Sequence, residues 1–304
     1  MPRIRVAEVL AALSLTTDLA SGLPFEKGLR TCLVATAFGR VLRLGEADLA
    51  ALFHAGLLRA IGCTAYAPEN AALFGDDTAF QAALKRLDPG DPAVFGAQLA
   101  TFGDWAPRRQ PGLAQRFVDI AADEGPRAAR AGCEVSRALG ARLGLPTAAV
   151  SALEDVYERW DGLGIPAGRR GEQLSLLGRI VHVAEQAVLA HPDGGPPAVL
   201  DEVARRAGGH LDPDLPTSTC PAGAGSPTRN CTSGRSTRPA GWPGSGTTAT
   251  RPSTSPPRPD RVHRVISSLD GRLGSSTLRA LCAPTTGRSP GSSNPTCTST
   301  DAWS

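Results

Sequence analysis

The stretch YERWDGLGIPAG, from Tyr157 to Gly168, concentrates more chemically distinctive side chains than any other part of the sequence. Glycine and proline fix the backbone of a tight turn, and an aspartate can accept hydrogen bonds from the amides of such a turn. Two interpretations are open: a structural loop anchored in the core by its tryptophan, or the rim of an active site. The positions concerned are Glu158, Trp160, Asp161, Gly162, Gly164 and Pro166.

A second group of chemically capable residues lies just after this loop. His182 and Glu185 are three residues apart, so an α-helix would present both on one face, as it does for pairs of metal ligands. The sequence supplies no third partner for them. His54 is interpreted as a buried, hydrogen-bonded histidine, and the turn at Gly75–Asp77 as a helix cap, rather than as metal sites.

Apolar residues recur every three or four positions through most of residues 1–216, which is typical of amphipathic helices. No stretch alternates as a half-buried strand would, so we predict an all-α bundle. A looser segment is expected from Thr64 to Gly112, with Pro126 in a first turn, Gly144 near a helix end and Thr147 as a candidate cap. The predicted helices cover residues 5–20, 26–45, 46–62, 125–145, 146–160, 171–190 and 196–208.

The composition changes abruptly near Pro216. Residues 1–216 carry a net charge of −4 and are rich in Leu, Ala and Val, enough to bury a full core. Residues 217–304 carry a net charge of +7, so the basic total of +3 does not indicate a nucleic-acid binder. No stretch approaches the roughly 18 apolar residues of a membrane span, and the N-terminal run, interrupted by Glu8, is interpreted as a first helix rather than a signal peptide.

Residues 217–304 form a tail in which 62 of the 88 residues are Ser, Thr, Pro, Gly or Arg. Such a segment buries too little apolar surface to offset the ordering of its backbone, so we expect disorder, apart from a marginal helix near Val262–Leu273. A natural linker and an out-of-frame translation both explain the composition. Arg outnumbers Lys 30 to 2, which indicates a GC-rich gene, and we favour the frameshift.

The loop and the helix after it resemble one protein family. From Glu158 to Glu185 the sequence is similar to the C-terminal half of the HD-GYP family, which reads His-His-Glu-Arg-Trp-Asp-Gly-x-Gly-Tyr-Pro, then Gly-Leu-x-Gly-Glu, then Ala-Arg-Ile-x-x-Val-Ala-Asp. The resemblance extends diffusely over residues 5–216. It implies an HD-like helical bundle over residues 1–216, followed by a disordered or frameshifted tail over residues 217–304. Enzymes of the family hydrolyse cyclic di-GMP with two or three metal ions, which clamp the phosphate and activate water.

Most positions that align with the metal-binding motifs of the family hold other residue types in this chain. The family's His-Asp pair becomes Arg59 and Ala60, and its late aspartate becomes Glu185, the one conservative change. An arginine at this point places a permanent positive charge where a cation would bind. The degenerate motif positions are Lys27, Arg59, Ala60, Cys63, Gly132, Val156, Tyr157 and Glu185.

The resemblance therefore implies a non-catalytic, cytoplasmic signalling domain without a metal or other cofactor. Its expected partners are a nucleotide, a neighbouring regulatory domain or a second copy in a homodimer; neither a membrane nor nucleic acid is expected. In such relatives, a degenerate helical half commonly precedes an intact HD domain, which implies a fragment of an actinobacterial multi-domain regulator. Two alternatives stay open: a metal-dependent phosphohydrolase with unorthodox ligands, such as a cyclic di-GMP phosphodiesterase, and a LuxR-type transcriptional regulator without its DNA-binding part.

Overall fold

The computed structural model describes residues 6–104 and 112–217, together with Val265. Within these ranges the regular elements are helices, and the only β-type pairing is an isolated bridge between Ala207 and Leu211. The prediction of an all-α fold is confirmed. The helices are α1 (Val6–Ala20), α2 (Lys27–Val41), α3 (Glu46–Leu58), α4 (Ala67–Phe74), α5 (Asp77–Leu84), α6 (Pro92–Thr101), α7 (Leu113–Arg142), α8 (Thr147–Glu154), α9 (Leu176–Ala190), α10 (Gly195–Arg206) and α11 (Asp214–Thr217).

Helix α9 is the central element of the bundle. It packs against α2, α3, α8 and α10, and most of its residues are buried. Ile180 and Ala184 are completely inaccessible, and they share one core cluster with Phe38 of α2 and Leu52 of α3. A helix that is apolar on nearly all sides is typical of a buried position, so a charged residue on the inner side of α9 is brought into the interior.

A separate aromatic cluster holds α4, α5, α6 and α7 together. The rings of Phe74 and Phe80 are stacked, with centroids 4.0 Å apart, and Phe102 and Phe117 pack around them. The expectation of a looser segment from residue 64 to 112 was wrong, because α4, α5 and α6 lie within it. Helices of eight to ten residues show only two or three turns of apolar periodicity, which leaves a weak sequence signal.

Two helix boundaries also differ from the sequence predictions. Helix α7 begins at Leu113, so Pro126 lies inside it rather than in its first turn. The hydrogen bond that proline cannot donate is outweighed by the packing of α7 against α8 and the adjoining turn. Helix α8 ends at Glu154 instead of Trp160, and Thr147 follows the N-cap residue instead of forming it. Gly144 has a φ of 67° just after α7, as expected near a helix end.

Beyond Thr217, which ends α11, Val265 is the one residue of the tail that the structure describes. It has helical backbone geometry, is only 2% exposed and belongs to the core cluster around α9 and α10. Val265 lies in the stretch for which the sequence predicted a marginal helix, and one buried residue does not test the expectation that the tail lacks a packed core of its own. The predictions of disorder and of a frameshift otherwise concern residues outside the described ranges.

None of the helices in the described ranges is both long enough and apolar enough to cross a membrane.

Candidate functional site

Glu185 lies in the middle of α9, and its carboxylate is buried between two cations. One carboxylate oxygen accepts a hydrogen bond from Lys27 Nζ, and the other pairs with the guanidinium of Arg59. Lys27 enters from the first turn of α2, and Arg59 from the residue that caps α3. All three side chains are at most 4% exposed. Three positions that align with motif residues of the family therefore form one group, called here the ion triad (Lys27, Arg59 and Glu185).

The electrostatics of the ion triad favour a charged carboxylate. Burial alone would raise the pKa of Glu185, but Arg59 and then Lys27 outweigh it and hold that pKa well below its usual range. Burial lowers the pKa of Lys27, and the attraction of Glu185 opposes that effect. Glu185 is thus the counter-ion of two buried cations.

The residues around the ion triad do not fit a divalent metal ion. Both oxygens of Glu185 are engaged by side-chain cations, and a metal would have to replace them while lying beside a guanidinium that keeps its charge. Nowhere in the described ranges do three or more His, Cys, Asp or Glu residues converge as metal ligands would. A catalytic ion needs several fixed donors, and this arrangement offers one neutralised carboxylate.

Tyr157 fills the space beside the ion triad. Its hydroxyl lies 3.7 Å from Cys63 Sγ, and burial raises the pKa of the phenol well above its usual value. A Cβ atom on Gly132 would lie only 2.6 Å from the Tyr157 hydroxyl oxygen. A histidine at position 132, as in the family, would therefore overlap the tyrosine ring. The substitutions at positions 132 and 157 are sterically coupled.

The remaining degenerate positions connect these two groups. Val156 is buried, and its carbonyl accepts a hydrogen bond from Arg59 across 3.4 Å. Ala60 is buried in a small cluster with Cys63 and Leu23. The eight degenerate positions are therefore linked by direct contacts or as chain neighbours, from the ion triad through Val156 to Tyr157, Gly132, Cys63 and Ala60.

His182 is turned away from any joint site with Glu185. Its Nε2 lies 3.0 Å from the carbonyl oxygen of Asp155, which can only accept, so Nε2 carries the proton. Burial, followed by the charge of Arg59, lowers the pKa of His182 to about 4, so the ring is neutral at pH 7. The ring centroid of His210 lies 5.4 Å away.

We expect acid to destabilise the protein through His182. The side chain of His182 takes up a proton near pH 6.5 in the unfolded protein and only near pH 4 in the folded protein. The neutral histidine therefore contributes fully to the free energy of unfolding above pH 6.5, and this contribution is lost as the pH falls toward 4. The loss from this residue should approach roughly 3 kcal/mol. Urea unfolding at stepped pH should show a shallower pH dependence in His182→Gln, which keeps a donor for the carbonyl. An unchanged slope would contradict this assignment.

The carboxylates of the loop are used to hold its own backbone. Glu158 is fully buried and accepts hydrogen bonds from the amides of Ala167 and Arg169, both at 2.9 Å. Asp161 accepts one from the amide of Leu163 at 2.9 Å and forms an ion pair with Arg159 at 2.7 Å. The acidic residues of the loop therefore close a turn and leave little capacity for acid–base chemistry.

Trp160 does not anchor the core as the sequence suggested. It is half-buried, and the guanidinium of Arg179 lies 5.6 Å from its ring centroid, which is cation–π geometry. Its carbonyl accepts a hydrogen bond from the amide of Gly171. The ring therefore packs over the outer side of α9 instead of filling the interior.

Sequence reasoning missed Asp155, which is completely buried. Its Oδ2 accepts hydrogen bonds from the amide and the hydroxyl of Ser175, at 2.8 and 2.6 Å, and its Oδ1 pairs with Arg169. Ser175 also caps α9 through the amide of Gly178. A serine just before an apolar helix is a readable capping signal. Asp155, which lies twenty residues before Ser175, is not marked by any such sequence pattern.

His54 also differs from its interpretation. It is half-buried rather than fully buried, and no hydrogen-bond partner for its Nδ1 is present among the described residues. The ring packs edge-on against Phe53. The Gly75–Asp77 turn behaves as a cap, because Asp76 accepts a hydrogen bond from the amide of Ala79.

Gly164 lies where the loop crosses its own backbone. A Cβ atom there would lie 2.5 Å from Glu158 Cα and from the amide nitrogen of Arg159, neither of which can move independently. We expect Gly164→Ala to lower the free energy of unfolding by about 1–3 kcal/mol or more. Gly96→Ala in α6 is the control, because its Cβ would meet nothing within 4 Å, and it should stabilise by up to about 1 kcal/mol. Urea unfolding measures the free energy of unfolding of both variants. Equal changes in the two variants would contradict the steric role of Gly164.

No family model matches the chain. Over 216 residues it is 26% identical to 3'3'-cGAMP-specific phosphodiesterase 3 of Vibrio cholerae. The chain is similar to a phosphodiesterase. Phosphodiester hydrolysis is also the activity of the enzymes in the HD-GYP family, which the loop and α9 resemble.

The similarity to this phosphodiesterase covers 69% of the chain and 46% of the relative, so the chain spans about half of the length of the curated protein it matches. A crystal structure of a cyclic GMP-AMP-specific phosphodiesterase of V. cholerae (V-cGAP3) is similar with a TM-score of 0.50 and 21% identity. That match also covers 69% of this chain and 46% of the other. It shows a shared helical fold.

Proposed function

We propose that this chain is a non-catalytic HD-GYP-like domain that works as a regulatory part of a larger signalling protein. The observation that carries the proposal is the ion triad. In an active phosphohydrolase a metal ion would neutralise the carboxylates at the centre of the bundle. Here Lys27 and Arg59 take that electrostatic role for Glu185.

The ion triad also explains why the loss of chemistry is compatible with a stable fold. A buried carboxylate without a counter-charge is costly, and so is a buried ammonium or guanidinium. Binding a metal at Glu185 would separate Lys27 and Arg59 from their carboxylate while both stay in the same interior. The energetic cost of that rearrangement opposes metal binding, whatever the metal.

The loop signature supports a structural role for what has been retained. Glu158 and Asp161 satisfy amides of their own loop, and Arg159 joins the loop to Asp88 at 3.3 Å. A domain that keeps this scaffold and not its ligands is suited to packing against, or responding to, a second domain. The chain spans about half of its relative, which is consistent with such a second part.

The alternative is a metal-dependent phosphodiesterase with unorthodox ligands. The 26% identity to a 3'3'-cGAMP-specific enzyme favours it, because that similarity is to a protein with this activity. It would require donors other than the motif positions, together with displacement of the cations of the ion triad.

Metal analysis and a hydrolysis assay separate the two functions. The full chain, incubated with Mn²⁺ or Fe²⁺ and desalted, should hold far less than one metal per chain by elemental analysis. It should hydrolyse neither 3'3'-cGAMP nor cyclic di-GMP above the protein-free rate. Retention of one or more metals per chain, with hydrolysis that Glu185→Ala abolishes and Arg127→Ala leaves intact, would overturn the proposal. Arg127 is a suitable control because its side chain is 62% exposed.

A further inference from the structure

A pocket of about 200 Å³ opens between α4, α5 and α7 and the loop that follows α8. Its walls are mostly aromatic and aliphatic. The aromatic side chains that line it are Tyr66, Phe74, Phe80, Phe117 and Tyr157.

The volume of the pocket sets the size of its ligand. An apolar cavity of about 150 Å³ is large enough to hold benzene, whereas sites for drug-sized molecules take about 300–1,000 Å³. A space of about 200 Å³ therefore accepts one or two fused rings. A whole cyclic dinucleotide is too large for it.

The charge of the lining excludes anions. Among the described residues that form the walls there is no Lys or Arg, and the one charged residue is Glu124. Glu124 accepts a hydrogen bond from the Tyr66 hydroxyl at 2.6 Å and pairs with Arg127 at 2.8 Å. The ammonium of Lys85 lies 5.8 Å from the ring centroid of Tyr157, but Lys85 is not part of the wall. A phosphate or carboxylate in the pocket would thus meet the carboxylate of Glu124 and no cation among the residues of the wall.

The polar groups of the pocket are few and held in place. Asn70 donates to Asp77 at 2.8 Å, and Gln81 donates to the carbonyl of Cys63 at 3.1 Å, so both side-chain amides are oriented. Both residues are buried. A mostly aromatic lining with a small number of oriented polar groups is typical of sites for small ligands.

The inner wall of the pocket belongs to the degenerate region described above. Cys63 and Tyr157 line the pocket and contact each other, and Tyr157 packs against Gly132. Ile165, from the loop, also lines the pocket, and its amide donates a hydrogen bond to the carbonyl of Tyr157 at 3.0 Å. A molecule in the pocket would therefore touch Tyr157 and Ile165 of the loop. The residue before Tyr157 is Val156, whose carbonyl accepts the hydrogen bond from Arg59.

We propose that this pocket binds a small, planar, uncharged aromatic molecule of one or two fused rings, and that its occupancy stabilises the position of Tyr157 and the loop. This inference goes beyond the proposed function, because it concerns a different site and holds whether or not the chain retains any hydrolytic activity.

Indole is the probe, and calorimetry or equilibrium dialysis on the full chain is the measurement. Ala121→Leu narrows the pocket from within α7, whereas Ala122→Leu on the exposed side of the same helix does not line it. We expect one indole per chain, affinity reduced at least about tenfold by Ala121→Leu, and affinity unchanged by Ala122→Leu. No binding at millimolar indole, or equal binding by the two leucine variants, would overturn the proposal.

A second comparison does not depend on how well Ala121→Leu folds. Indole-3-carboxylate has the same ring with a negative charge, and wild-type protein should bind it at least about tenfold more weakly than indole. Glu124→Gln removes the nearest repelling charge, so it should narrow the difference in affinity between indole and indole-3-carboxylate. Equal affinity of the wild type for both compounds would contradict the assignment to uncharged ligands.

Discussion

Glu185→Gln should lower the free energy of unfolding by about 3–5 kcal/mol. The substitution preserves the shape of the side chain and removes the only negative charge of the ion triad. Lys27 and Arg59 would then face each other in the interior, at most 4% exposed, without a counter-ion. Urea or guanidinium unfolding, followed by circular dichroism, measures the loss.

An exposed ion pair provides the control for this variant. Arg127→Gln removes a partner of Glu124 at a position where the side chain is 62% exposed, and it should cost less than about 1 kcal/mol. In Glu185→Gln, Lys27 would bind its proton less readily when folded than when unfolded. The stability of the variant should therefore rise as the pH is raised toward the 10.5 of an ordinary lysine. A loss no larger than that of Arg127→Gln would contradict the buried ion triad.

Replacing all three members of the ion triad should have the opposite result. In Lys27→Met/Arg59→Met/Glu185→Leu none of the three charges of the ion triad is left to desolvate, and apolar side chains of similar volume fill the space. Substitutions of this kind are often neutral or stabilising by about 1–4 kcal/mol, so the triple variant should unfold at the same or higher denaturant concentration than the wild type.

The single and triple variants together test the interpretation of the site. If the ion triad only replaces a lost metal centre, the triple variant keeps its fold and its solubility. A triple variant as unstable as Glu185→Gln would mean that the charges make contacts beyond their own group. The double variant Arg59→Met/Glu185→Leu keeps Lys27 as the one remaining charge of the ion triad. Its free energy of unfolding should lie between those of Glu185→Gln and the triple variant.

Gly132 and Tyr157 are sterically coupled, since a Cβ at position 132 would lie 2.6 Å from the tyrosine hydroxyl. A larger side chain at position 132 therefore requires a smaller one at position 157.

The sequence by itself determined the fold class, the main helices and the special role of the loop. Apolar periodicity is a local property, so it identified α1, α2, α3 and α9 within a few residues, whereas the short helices α4, α5 and α6 gave too few turns to be recognised. The loop motif also pointed to the positions that align with the metal-binding motifs of the HD-GYP family, because aligning a motif requires only residue order.

Only the tertiary structure decided what the replacing residues do. Lys27 and Glu185 are 158 residues apart, and whether they meet depends on how α2 packs against α9. The cap of α9 by Asp155 and Ser175, the half-exposed position of Trp160 and the pocket beside Tyr157 depend on packing in the same way. Charge pairing and cavities are properties of the space between elements, and the spacing of residues along the chain does not encode that space.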